Sequence, residues 1–179
     1  MVKKKLSVIV VFVVLGLHLA FTFFSPDLYE GSIATELKFD KSAIWNHLIN
    51  VKELHLTRKE LDTIEVVKKY PGGMQQWKEV YKNGDSEEFK HVSFDRGNKL
   101  VFETVSSDKG VMGKWEIEIF PIEDETDSKK CVLKINETST ANSFFYKWIH
   151  TLIGREAKMK KITETLKHQL EEASKKEKN

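Results

Sequence analysis

Glu79 sits at strand spacing between two rings, Trp77 and Tyr81, and His91 stands two residues after Phe89. Alternate residues of a strand share a face, so each polar group shares one with aromatic side chains. A carboxylate or imidazole turned inward beside such rings would have a shifted pKa. It could orient the polar end of a ligand or act as an acid or base. The reading preferred from the sequence puts both residues on an exposed strand face instead. Trp77, Tyr81, Phe94, Phe102, Trp115 and Ile117 on predicted strands, with Phe145, Ile149 and Leu152 on a predicted helix, are candidate linings for an apolar pocket. Taken singly each aromatic reads first as core; as a group some are expected to contact the cavity. No catalytic residue is assigned, because there is no Gly-x-Ser-x-Gly turn and no glycine-rich loop opening a helix. None of the six histidines forms a His-x-x-x-His pair, so neither a metal nor a cofactor is expected.

The bulk numbers narrow the classes. At 179 residues the chain fits one domain plus a short appendage. A net charge of +2 gives no broad electrostatic case for nucleic acid. The single cysteine, Cys131, excludes an intrachain disulfide framework and reads as a small apolar strand residue. The sequence names no protein partner.

These residues need elements to position them. From Phe144 to Glu172, Phe145, Ile149, Leu152, Met159, Ile162, Leu166 and Leu170 recur at three, four and seven, the spacing of one apolar helix stripe. A helix of that length runs about 40 Å and needs a large apolar partner. The preceding stretch offers one. A strand is expected over Gly31–Phe39, then Asp40 as N-cap and a short helix through Ile44, Trp45, Leu48 and Ile49, and a second short helix or turn over Val51–Leu56. Six strands follow: Asp62–Lys69, Met74–Tyr81, Ser86–Asp95, Lys99–Ser106, Lys114–Phe120 and Cys131–Thr140. The turns fall at Pro71-Gly72-Gly73, Asn83-Gly84, Arg96-Gly97-Asn98, Asp108–Gly113 and Asp124–Lys129, with Ala141-Asn142-Ser143 capping the long helix. The fold class is α+β: a curved antiparallel sheet around a long C-terminal helix, with a cavity between them. The triplet Asn136-Glu137-Thr138 matches a glycosylation sequon but falls inside a predicted strand.

Leu6–Phe24 runs 19 residues without a charge after Lys3, Lys4 and Lys5. Its helical length approaches a bilayer core of roughly 30 Å, and the basic head would place the N-terminus in the cytoplasm with the domain outside. The expectation is a single-pass anchor, with residues 6–24 contacting the membrane. A cleaved signal peptide fits less well, since His18 stands where a small residue is wanted before Ala20. The expected organisation is a basic head and transmembrane anchor over 1–25, a linker over 26–32, a ligand-binding domain over 33–172 and a flexible tail over 173–179. Lys147, Arg155, Lys158, Lys160 and Lys161 form a basic helix face that could lie on anionic headgroups or simply face water.

The order of elements resembles the helix-grip fold of the START and birch-pollen-allergen (SRPBCC) superfamily, most closely its polyketide-cyclase/dehydrase and lipid-transport branch. The matching residues run from Ile33 to Leu170: a strand ending near Phe39 followed by a helix with Trp45, Gly113-Lys114-Trp115 entering a late strand, Pro121 at its end, Cys131–Glu137, and Phe145, Trp148, Gly154 and Ile162…Leu166…Leu170 in the closing helix. These are marks of fold rather than of an active site. The resemblance implies a cavity for a hydrophobic ligand and carries over no catalytic residue; the leading apolar segment departs from the usual member.

The functional expectation is membrane-anchored binding or transport of a hydrophobic small molecule, lipid or isoprenoid-like, with binding favoured over catalysis. One alternative is a cyclase- or dehydratase-type enzyme using Glu79 or His91. The other is a protein-interaction module with a vestigial, filled cavity.

Overall fold

The computed structural model describes residues 2–24, 27–53, 58–122, 130–144, 146–148 and 156–176. The elements are α1 (Val2–Phe24), β1 (Leu28–Leu37), α2 (Lys41–Ile49), β2 (Leu61–Lys69), β3 (Gln75–Tyr81), β4 (Ser86–Asp95), β5 (Lys99–Ser107), β6 (Val111–Pro121), β7 (Cys131–Ala141) and α3 (Ala157–Lys176). The seven strands form one antiparallel sheet in the order β1-β7-β6-β5-β4-β3-β2, with α2 and α3 packed on its inner face. The architecture is the helix-grip arrangement that the alternation and the closing amphipathic helix predict.

Pairing lengthens the strands beyond what alternation alone marks. β1 begins at Leu28, inside the expected linker, because β7 pairs with it from Leu28↔Thr140 to Leu37↔Cys131. β6 begins at Val111, inside an expected loop, because Val111 pairs with Ala141. Asn136 is held in this ladder and its side chain accepts from Ser32 Oγ at 2.8 Å, so the sequon triplet is strand. Asp40 occupies the N-cap position of α2 and accepts Ile44 N–H through its carbonyl, without a side-chain cap. α3 continues to Lys176, past the expected start of the tail, and carries a Lys175–Glu172 pair at 2.8 Å in its last turns. Residues 54–57 of the second expected helix, the 124–129 loop, and the lining candidates Phe145, Ile149 and Leu152, with Gly154, lie outside the described residues.

The core lies between sheet and helices. α2 contributes Ile44, Trp45 and Leu48, and α3 contributes Met159, Leu166 and Leu170, against Trp77, Phe89, Trp115, Ile117, Leu133 and Ile135 of the sheet. Cys131 is buried there, and burial pushes its thiol pKa up, as suits an inert strand residue. The Gly-x-Trp entry to β6 has a steric cause. A Cβ on Gly113 would lie 2.6 Å from Trp115 Cη2 and 3.0 Å from Ser139 Cβ, so only glycine lets the indole fold back over its own strand.

The expected membrane span is overturned. Residues 2–24 are helical, yet among the described residues no helix is long and apolar enough to cross a membrane. His18, within α1, packs edge-on at 6.1 Å from Trp148 of the C-terminal region. The single-pass topology and the extracytoplasmic placement fall with the span. On the basic helix face, Lys147 bonds Asp27 at 2.8 Å, Lys160 bonds Glu156 at 2.9 Å and Lys161 bonds Glu60 at 2.7 Å, while Arg155 and the Lys158 side chain lie outside the described residues.

Candidate functional site

A chamber of about 100 Å³ lies between β3–β6 and α3. Trp77, Phe89, Phe102 and Ile117 wall it from the sheet, and Ile162 and Leu166 close it from α3. The rings form a continuous slab: Trp77 stacks on Phe89 at 5.5 Å, and Phe102 stacks on Trp115 at 5.3 Å. Strand alternation places them, since β3 buries Trp77, Glu79 and Tyr81 while β4 buries Glu87, Phe89 and His91. A bulge between His91 and Ser93 then shifts the parity, so that Phe94 also packs against the core.

Two polar groups enter this apolar wall. His91 is 5% exposed, its ring 4.9 Å from that of Trp77 and 6.3 Å from that of Phe94. Its Nδ1 accepts the backbone N–H of Gln75 at 3.1 Å. An accepting Nδ1 is unprotonated, so the neutral ring carries its hydrogen on Nε2. Burial disfavours the imidazolium and pushes the pKa down to about 4.

That shift makes a prediction about stability. Between about pH 4 and the ordinary histidine value of 6.5, the unfolded chain binds more protons than the folded one. The His91 contribution is therefore complete above 6.5 and is lost as pH falls toward 4. Its upper bound is about 3.4 kcal/mol, at 1.36 kcal/mol per pKa unit. Urea titrations between pH 7 and 4.5 are expected to lose this slope in His91→Phe; an unchanged slope would place the titrating group elsewhere.

Glu79, 3% exposed, anchors a denser network. Its Oε2 accepts from Arg58 Nη1 at 2.8 Å, and its Oε1 accepts Trp77 Nε1–H at 3.3 Å. Glu87 stands directly opposite Glu79 across the β3–β4 pair. Two like charges so placed repel. Arg58, the Tyr81 hydroxyl hydrogen-bonded to Glu87, and Lys109 at 3.7 Å from Glu87 offset that repulsion. Burial, then the charges of Glu79 and Glu87, push the Tyr81 pKa up and keep it a phenol.

This network borders an open cleft of about 560 Å³ lined by Tyr81, Lys82, Lys109 and Lys161. Arg58 and Lys161 line both chamber and cleft. Glu60 joins them, accepting from Arg58 Nε at 3.1 Å and from Lys161 Nζ at 2.7 Å. Burial opposes ionisation of Glu60, but hydrogen bonds from Lys161, its own backbone and Arg58 bring its pKa to about 2.

Of the expected lining residues, Trp77, Phe102, Ile117, Glu79 and His91 meet at the chamber. Tyr81 faces the cleft instead, at the end of β3 where the charged residues gather. Phe94 lies in a separate groove, its ring 5.8 Å from that of Trp45. Trp115 is fully buried behind Phe102 and does not line the chamber. Arg58 and Glu87 were not expected. Glu87 was reachable from the Asn83-Gly84 hairpin, whose register sets it opposite Glu79; Arg58 stands in a stretch without periodicity.

No protein-family model matches the sequence, and no curated protein matches it. Solved structures share its fold. A START superfamily protein from Mycobacterium smegmatis superposes with a TM-score of 0.65 at 10% identity, over 80% of this chain and 98% of its own. The Zhui aromatase/cyclase from Streptomyces sp. R1128 gives 0.68 at 9% identity, over 80% and 94%. Norcoclaurine synthase from Thalictrum flavum, in complex with dopamine and hydroxybenzaldehyde, gives 0.58 at 15% identity, over 82% and 89%. Likeness at such identities concerns the fold, and at that level the resemblance drawn from the sequence is met.

Proposed function

We propose that the chamber binds a compact hydrophobic molecule, a ring or a short branched chain, with its polar end toward His91 and Glu79. The partly open apolar volume between sheet and α3 itself carries this reading. Protein interiors are close-packed, and lining atoms that face a void lose dispersion contacts that a ligand would restore. Size bounds the ligand. An apolar cavity of about 150 Å³ takes benzene; a partly open chamber of about 100 Å³ suits a small ring or one isoprene-like terminus whose substituent reaches out of it. A longer lipid would have to extend past Arg58 and Lys161 into the cleft, and carrying it whole would require that border to part. The norcoclaurine synthase neighbour, which holds small aromatic molecules, lends support by analogy of fold.

The cyclase-type alternative has less to work with. His91 offers a donor rather than a basic lone pair, and both oxygens of Glu79 already accept hydrogen bonds. The interaction-module alternative requires a filled core, which the chamber argues against.

Burying about 150 Å² of a small aromatic at about 25 cal/mol per Å² corresponds to a dissociation constant on the order of 1 mM. Isopropylbenzene added to the ¹⁵N-labelled full chain is expected to give saturable shifts at Trp77, Phe102 and Leu166. Leu166→Trp, which fills the chamber, should remove them. If no saturable shift appears up to the solubility limit, the binding reading fails.

A further inference from the structure

His91 lines the chamber and holds hydrogen-bonding capacity that the fold leaves unused. Its Nδ1 is occupied by the Gln75 amide, while Nε2 is buried and has no hydrogen-bond partner among the described residues. A buried donor left unmade costs free energy that a ligand acceptor recovers. His47, also on the chamber wall, has the opposite arrangement: its Nδ1 bonds the Ala43 carbonyl at 2.9 Å, so Nδ1 carries the hydrogen. His91 is therefore the histidine that presents an N–H.

We propose that His91 is the polar anchor of the chamber, its Nε2–H donating to an uncharged oxygen acceptor on a ring-sized apolar ligand. The ligand class is then a ketone, aldehyde or alcohol built on a small ring. A hydrocarbon leaves the donor unmade. A carboxylate would meet the Glu79 charge on the same wall. An ammonium has no lone pair to offer Nε2–H.

This assignment rests on the binding reading above, and one pair of probes separates the two. Acetophenone and isopropylbenzene are close in shape and differ in the carbonyl. Titrated into the full chain, both are expected to bind, acetophenone about tenfold more tightly. In His91→Phe the preference should disappear. Equal affinities in the unaltered chain, or a preference for the hydrocarbon, would overturn the anchor while leaving chamber binding intact. If neither probe binds, both ideas are overturned. A readout without ligand guards against a variant that fails to fold: long-range ¹H–¹⁵N spectra should place the His91 hydrogen on Nε2 and move its resonance when acetophenone is added. A hydrogen on Nδ1 would overturn the anchor outright.

Discussion

Replacing Arg58 with methionine is expected to lower the unfolding free energy by about 3 kcal/mol at neutral pH. Removing one partner of a buried ion pair leaves the other charge uncompensated, which costs about 3–5 kcal/mol. Arg58 is 20% exposed, so the lower end applies, while its partner Glu79 is 4% exposed. The loss is sharpened because Glu87 stands across the strand pair from Glu79. Without Arg58, Lys109 is the remaining cation in contact with the carboxylates among the described residues, and it approaches Glu87. The double variant Arg58→Met with Glu79→Gln should regain most of the loss, because it removes the stranded charge as well. Lys161→Met provides the contrast: that side chain is 55% exposed, and such pairs contribute about 0–1 kcal/mol. Urea midpoints measure all three. A double variant as unstable as the single one would mean that the guanidinium matters for packing, not charge.

The fold was legible because its signals are local and repeated. Trp115, Ile117 and Ile119 all point inward, as their alternation predicts, and the apolar stripe of Met159, Leu166 and Leu170 faces the core. Shared parity with rings made Glu79 and His91 candidates, although an exposed face was the preferred reading and both are buried. The site was illegible where contacts are distant. Arg58 reaches Glu79 across 21 residues from a stretch with no periodicity. Tyr81 shows the limit of parity: a face can be read from alternation, but not where along the strand the covering helix ends. The apolar N-terminal run misled for a related reason. Hydropathy reports how little a segment resists burial, and says nothing of the chain's own partners, such as Trp148 for His18.

Truncating Trp115 to alanine should couple stability to ligand size. The indole is fully buried, stacked on Phe102 at 5.3 Å and edge-on to Phe89 at 5.9 Å. Losing it removes the transfer free energy of a large side chain and opens a void that the sheet cannot close, a cost of about 3–5 kcal/mol. Gly113 deepens that void, because the missing Cβ beside Trp115 leaves no atom to move in. Phe102 and Phe89 stand between Trp115 and the chamber, so the new space lies directly behind its wall. Either ring can rotate back into it, and the chamber then accepts a larger molecule. Naphthalene is expected to bind Trp115→Ala and not the unaltered chain. Indole should raise the variant's Tm with concentration, since a ligand that binds only the folded state stabilises it by mass action. A loss below about 2 kcal/mol, with no gain of naphthalene binding, would show that the wall collapses inward instead. In that case the chamber's volume is set by α3, and Leu166 rather than the aromatic slab limits what it can hold.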